Sequence, residues 1–424
     1  MAVVLVALAA RAALADPKRE KPDYDGRGNP DAHAGSWVLW IPRVLLWPPY
    51  VVDEYLLRRP LGALVTTAER SGWIGTLASA ATHTGRTHVV PIARFDRGER
   101  PAVGADVSVH GTWRDDDVAS VGATTWGVDQ YAAEVRDRLA YDRGAASLEL
   151  RAGYARSIDN AFFGLGPDAH VASRFGLARG GAGLGYARRL APALELAAES
   201  GVEHVAFVGG SCCDDPSLAD QIARGALAAP PGYGDAYALA HQRAELAVGD
   251  PQALAASLRL YGDARFRLDR AGVWVRYGLR ARGAIDLDGH HRVLAILAGI
   301  DLVDPLQHEA VAFTELASPA DELMPAFIPG WMLGRSAAAA QLAYRWPIWV
   351  YLDARLRIAL GNAFDAHLDD FALGELRASA DFSLVVTASH AHPIELVIGA
   401  GSDPLDDGVH VATVRVLVGT STAP

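Results

Sequence analysis

The stretch YLDARLRIALGNAF, Tyr351–Phe364, places an apolar residue at every second position (Leu352, Ala354, Leu356, Ile358, Leu360) and interleaves Asp353, Arg355 and Arg357. A period of two puts alternate side chains on opposite sides of an extended chain, so this is a strand with one apolar and one charged face. The same rhythm recurs. Leu254, Ala256, Leu258, Leu260, Ala264 and Phe266 alternate with Ser257, Arg259, Asp263, Arg265 and Arg267. Ala378, Ala380, Phe382, Leu384 and Val386 alternate with Arg377, Ser379, Asp381, Ser383 and Thr387, and near the end Ala412, Val414, Val416 and Val418 alternate with Thr413 and Arg415. Turn-forming runs such as LDRAG, DLDGHH, HAHP and SDPLDDG separate the strands. No helical pattern alternates with them beyond about residue 87, which excludes a parallel βαβ sheet and leaves an antiparallel meander of about sixteen strands.

Two architectures satisfy such a meander. In a soluble sandwich or barrel the apolar faces meet inside; in a transmembrane barrel the polar faces line a lumen and the apolar faces meet lipid. Alternation cannot separate them. Three features favour the second: strands long enough to cross a bilayer at a steep tilt, aromatic residues toward strand ends (Tyr131, Tyr141, Trp274, Trp349), and an export-like N-terminus without a disulfide framework. Closure has its own logic, because a sheet in hydrocarbon must leave no backbone polar group unpaired. The expected fold is therefore an all-β, transmembrane antiparallel β-barrel of about sixteen strands, preceded by a short amphipathic helix.

The opening MAVVLVALAARAALAD joins an apolar run to the small-x-small pattern Ala13-Leu14-Ala15, which predicts a signal peptide over 1–15. A charged linker follows over 16–40. Pro48 and Pro49 suit a helix start, and Val51, Val52, Tyr55 and Leu56 repeat at helical spacing, so 41–86 reads as a kinked amphipathic segment. The barrel is assigned to 87–424. No run of about 20 apolar residues is available for a membrane helix.

The net charge of −11 and the lack of clustered Lys and Arg exclude a nucleic-acid binder. No enzyme motif is present: VGGSCC lacks the Gly-x-Ser-x-Gly spacing, and ARGGAGLG, Ala178–Gly185, has neither the Lys nor the following helix of a phosphate loop. His290, His291, His390 and His392 fall in turns, as solvated residues rather than ligands. Cys212 and Cys213 are adjacent, which reads as a loop tip, with a vicinal disulfide as the alternative. Neither a cofactor nor a metal is implied. The charges Asp353, Arg355, Arg357, Asp381, Arg259, Arg265 and Arg267 share the polar faces, where they would pair across strands or line water.

The C-terminal third resembles the BamA/TamA-like bacterial surface-antigen superfamily of outer-membrane assembly and secretion barrels, in the branch lacking POTRA domains. The residues that carry the resemblance are MPAFIPGWMLGRSAAAAQLAYRWPIWVYLDARLRIALGNAF, Met324–Phe364, with Phe327, Gly330, Gly334, Arg335 and Ser336 as the long-loop motif. NAFFGLGPDA, Asn160–Ala169, is similar to the family's aromatic-Gly-x-Gly segment, and five alternating strands follow the loop. Where the family has Arg-Gly-Phe this chain has Pro325-Ala326-Phe327, so the loop lacks the Arg that would reach an acid in the lumen. The expectation is a loop less firmly locked, with Arg335 as a partial substitute.

The resemblance implies insertion or assembly of outer-membrane components through a lateral seam between the first strand and the last, Val409–Gly419, whose residues include Val409, Val411, Thr413 and Arg415. The helix around Val51–Leu57 would sit at the mouth or in the lumen. Implied partners are outer-membrane lipid, client outer-membrane proteins and a periplasmic partner. A passive porin-like channel and a secreted soluble β protein are the rival readings.

Overall fold

A computed structural model describes residues 86–420, apart from 250–255, 288–290, 321, 350–351, 370 and 387–393. The expected signal peptide, linker and amphipathic helix, and the turn histidines His290, His390 and His392, lie outside the described residues.

The strands are β1 (Thr87–Asp96), β2 (Ala102–His110), β3 (Asp117–Thr125), β4 (Tyr131–Tyr141), β5 (Ala146–Phe162), β6 (Ser173–Ala191), β7 (Leu194–Val208) and β8 (Tyr237–Val248). The second half comprises β9 (Ala256–Arg267), β10 (Val273–Asp286), β11 (Val293–Pro305), β12 (Ser336–Trp349), β13 (Leu352–Phe364), β14 (Arg377–Val386), β15 (Ile394–Pro404) and β16 (Val411–Thr420). Each pairs antiparallel with its sequence neighbour, and β16 returns to β1, so the described sheet is a closed sixteen-strand barrel with no free edge. Five strands follow the long loop, and YLDARLRIALGNAF supplies the second of them. A short helix, α1 (Leu218–Ala223), is capped by Ser217, whose hydroxyl accepts from the Asp220 amide.

The two faces of the strands are distributed inside out relative to a soluble protein. On β14, Arg377, Ser379, Asp381 and Ser383 are buried. On β13, Arg357 is buried while Leu356, Ile358 and Leu360 lie open on the exterior. Tyrosines mark both ends of the exterior on β4 to β6: Tyr131 stacks on Tyr154 at 5.8 Å, and Tyr141 faces Tyr186 at 6.5 Å. The ten residue steps between Tyr131 and Tyr141, tilted as barrel strands are, span about 25 Å.

Trp274 departs from the expected aromatic belt. It is buried inside the barrel, in the cluster that includes Phe162, Phe175, Tyr237, Leu239 and Val303. At this end of the barrel the inward residues are apolar because they receive the β11–β12 loop, whose Phe313, Leu316, Met324, Phe327, Trp331 and Met332 complete the same cluster. The main apolar core is thus a loop packed against the inside of the wall.

The GGSCC loop tip follows β7, and Cys212 and Cys213 are joined to each other. Ala178–Gly185 lies within β6, as its missing helix and Lys implied.

Candidate functional site: the lumenal loop and the seam

The loop between β11 and β12 enters the barrel because each of its parts meets a complementary wall. Near its start, Glu315 is buried and accepts hydrogen bonds from Arg179 (2.7 Å), from Tyr237 (3.0 Å) and from Arg265. At its tip, Ala326 and Phe327 lie over Gly399 and Gly401 of β15, where any side chain would meet them. The Ala326 amide donates to Ser379, and Gln341 donates to the Leu323 carbonyl at 2.8 Å.

At its exit the loop meets the two other sequence landmarks. Trp331 stacks on Phe163 of NAFFGLGPDA, with ring centroids 3.7 Å apart and planes at 19°. Gly330 has φ +90° and lies against the Ala161 carbonyl, so no side chain is admitted there. Leu333 bridges to Leu165, and the Gly166 amide donates to the Leu333 carbonyl at 2.8 Å. Gly334 leaves no room between the loop and Phe364 of GNAF. Asn362 of the same motif donates to the Pro167 carbonyl (3.2 Å), and Arg377 to the carbonyls of Pro167 and Ala169. Residues 160–169, 330–336 and 361–364 therefore form one packed junction.

The expectation of a loosely held loop is corrected by Arg415. This β16 guanidinium donates through Nε and Nη2 to Asp96 of β1 (3.0 and 2.6 Å) and through Nη1 to the carbonyls of Pro325 (2.8 Å) and Phe327 (3.1 Å). The cation sits on the wall and grips the loop's backbone, so the loop needs no Arg of its own. Glu315 completes the reversal, because here the loop brings the acid and the wall the arginines. Arg335 does not substitute inside the lumen: it pairs with Asp304 at 3.3 Å, near the end of β11. Ser336 donates to the Asp365 carbonyl and accepts from the Leu368 amide at 3.0 Å.

The remaining polar-face residues are engaged in pairs. Arg357 bonds Asp381 (2.7 Å) and Glu395 (3.1 Å); Arg355 lies 3.7 Å from Glu395, and Asp353 lies 3.8 Å from Arg345. Arg259 bonds Glu245 at 2.9 Å, Arg265 bonds Asp263 at 2.8 Å, and Arg267 bonds Asp269 at 2.7 Å while covering the Tyr237 ring. Cross-strand pairs hold Arg259, Asp353, Arg355, Arg357 and Asp381, while Arg265 and Arg267 pair with acids two residues away, Asp263 in the same strand and Asp269 in the turn after it. The interior beside β1 to β8 keeps a cavity of about 370 Å³ lined in part by Asp106, Glu134, Arg136, Glu203 and His241, and bordered by Arg179, which also holds Glu315 of the loop.

The seam strand starts later than its sequence suggested. Val409 lies outside β16, held in the approach by the turn at Leu405–Asp407 and by Gly408, whose φ is +95°. Val411 is the first residue of the strand; Thr413 and Arg415 follow on its inner face.

Among the described residues, β1 and β16 meet in three register pairs: Arg94–Gly419, Phe95–Val418 and Asp96–Leu417. β1 and β2 pair from Thr87–Val109 to Arg94–Ala102. The Arg97 amide donates to Val416 and the His110 amide to Arg86, both at 2.9 Å. Alternation along an antiparallel strand then directs odd-numbered residues of β1 toward β16.

Sequence reasoning missed Asp96, Glu315, Gly399 and Gly401. A lone acid within apolar VAFTELA and the small-residue rhythm of IGAGS were the available signals for Glu315 and the glycines.

No protein-family model and no curated protein matches the sequence. Solved structures do. The barrel is similar to BamA from Haemophilus ducreyi lacking POTRA domains 1–3 (TM-score 0.56, 12% identity, covering 79% of this chain and 70% of that one). It is also similar to CdiB from Acinetobacter baumannii (TM-score 0.50, 9% identity, 78% and 59%), so the chain spans less than two thirds of that protein. By its closed sixteen-strand architecture, with a long loop folded inside, this chain has the fold of BamA-type outer-membrane barrels.

Proposed function

We propose that this protein is an outer-membrane barrel that assists insertion or assembly of other outer-membrane components by parting β1 from β16 and presenting their edges to a client strand. The observation that carries the reading is the seam: β1 and β16 are neighbours that no turn of the chain connects, so their ladder, with Arg94–Gly419, Phe95–Val418 and Asp96–Leu417 in register, can part without straining a hairpin. The exterior supports the membrane setting, because Leu356, Ile358 and Leu360 would be costly in water and favourable in hydrocarbon. Lipid is thus one partner and a client barrel the other. No catalytic step is needed: strand addition exchanges one set of backbone hydrogen bonds for another.

The test is reconstitution in liposomes with an unfolded barrel as client. The expected result is faster client folding, abolished when Phe95→Cys and Val418→Cys, opposite each other in the register, lock the seam and restored by reductant. Unchanged client folding would overturn the reading. The cavity beside β1 to β8 favours a second reading as a passive channel, and steady conductance without accelerated insertion would select it.

A further inference from the structure

Arg415 touches three parts of the molecule at once. It belongs to the last strand, its Nε–Nη2 edge faces Asp96 of the first, and its Nη1 faces the loop tip. Both charged groups are buried. A guanidinium is a rigid planar fork, so the edge held by Asp96 fixes where the remaining donors point.

We propose that Arg415 is a positioning residue that couples the seating of the loop tip to closure of the seam. The proposal deepens the seam reading above and rests on it. Parting β1 from β16 removes Asp96 from the guanidinium. Without that carboxylate on its Nε–Nη2 edge the fork is no longer held in one plane, and Nη1 loses its aim at the carbonyls of Pro325 and Phe327. In the other direction, withdrawing the tip exposes the Arg415–Asp96 pair to water and weakens the bond that spans the seam.

Only the tip is coupled. The start of the loop is held by Glu315 on Arg179, Arg265 and Tyr237, and its exit by Trp331 on Phe163. None of those partners belongs to β1 or β16. Seam opening therefore frees residues near 325–327 while 313–316 and 331–335 stay seated. A lock made by a loop Arg on an acid away from the seam would have no such link.

The test uses the full chain in liposomes, with Cys212 and Cys213 replaced by Ser and a single reporter, Ala326→Cys at the tip or Leu316→Cys at the fixed base, labelled by a soluble maleimide. Asp96→Ala is expected to speed labelling at position 326 by about tenfold, about 1.4 kcal/mol, and to leave position 316 unchanged. Equal acceleration at both positions, or none at 326, would overturn the proposal, the first because it reports general loosening.

Coupling free energies are reciprocal, so a second variant tests the other direction. Gly401→Val lies on β15 and displaces Phe327 without touching β1. It should lower the yield of the disulfide between Phe95→Cys and Val418→Cys, and an unchanged yield would refute the link. Client insertion is measured on the same vesicles: coupling without insertion sinks the functional reading alone, and insertion without coupling sinks this proposal alone.

Discussion

The ring of Phe327 occupies the space in which a side chain at Gly401 would begin. The wall has been thinned at this point to admit the loop tip, and Gly399 beneath Ala326 extends the same seat. Gly401→Val should therefore expel Phe327, destabilising the barrel by about 1–3 kcal/mol as overpacking does. Cleavage within residues 306–335 by added protease, mapped by mass spectrometry, should appear in the variant and be absent in the parent.

Glu315 holds two arginines and a tyrosine in a buried site. Glu315→Ala leaves Arg179 and Arg265 without that anion and is expected to cost about 3–5 kcal/mol. Urea unfolding in detergent measures it. Adding Arg265→Met to Glu315→Ala should recover part of the loss; strictly additive destabilisation would show that the two groups do not interact.

Ile358 separates the two settings of an apolar exterior. In a bilayer Ile358→Arg should cost about 2–4 kcal/mol at mid-depth, whereas the same change on a water-exposed surface stays within about 0.5 kcal/mol. Folding yield into liposomes and unfolding midpoint together decide it.

Legibility differed between the wall and its contents. Strand number, strand order and the engaged faces of β9, β13, β14 and β16 follow from local periodicity, which each strand expresses by itself. The junction of NAFFGLGPDA, GWMLGRS and GNAF was visible only as three separate motifs; that they pack together depends on contacts across some two hundred residues. Trp274 was misplaced for a related reason. Period two assigns it a side of the strand but says nothing of what fills that side, and the loop's apolar cluster made the interior the better environment.

The sequence by itself determined an antiparallel meander of one-sided strands, because side-chain alternation is a property of a single extended segment. Only the tertiary structure decided which face is enclosed, since that requires β16 to reach β1 and close the sheet. It also decided how a loop without the expected Arg stays inside. A positive charge can serve from either side of a contact: Arg415 and Arg265 on the wall, with carbonyls and Glu315 on the loop, produce the attraction with donor and acceptor exchanged, and no local pattern records that exchange.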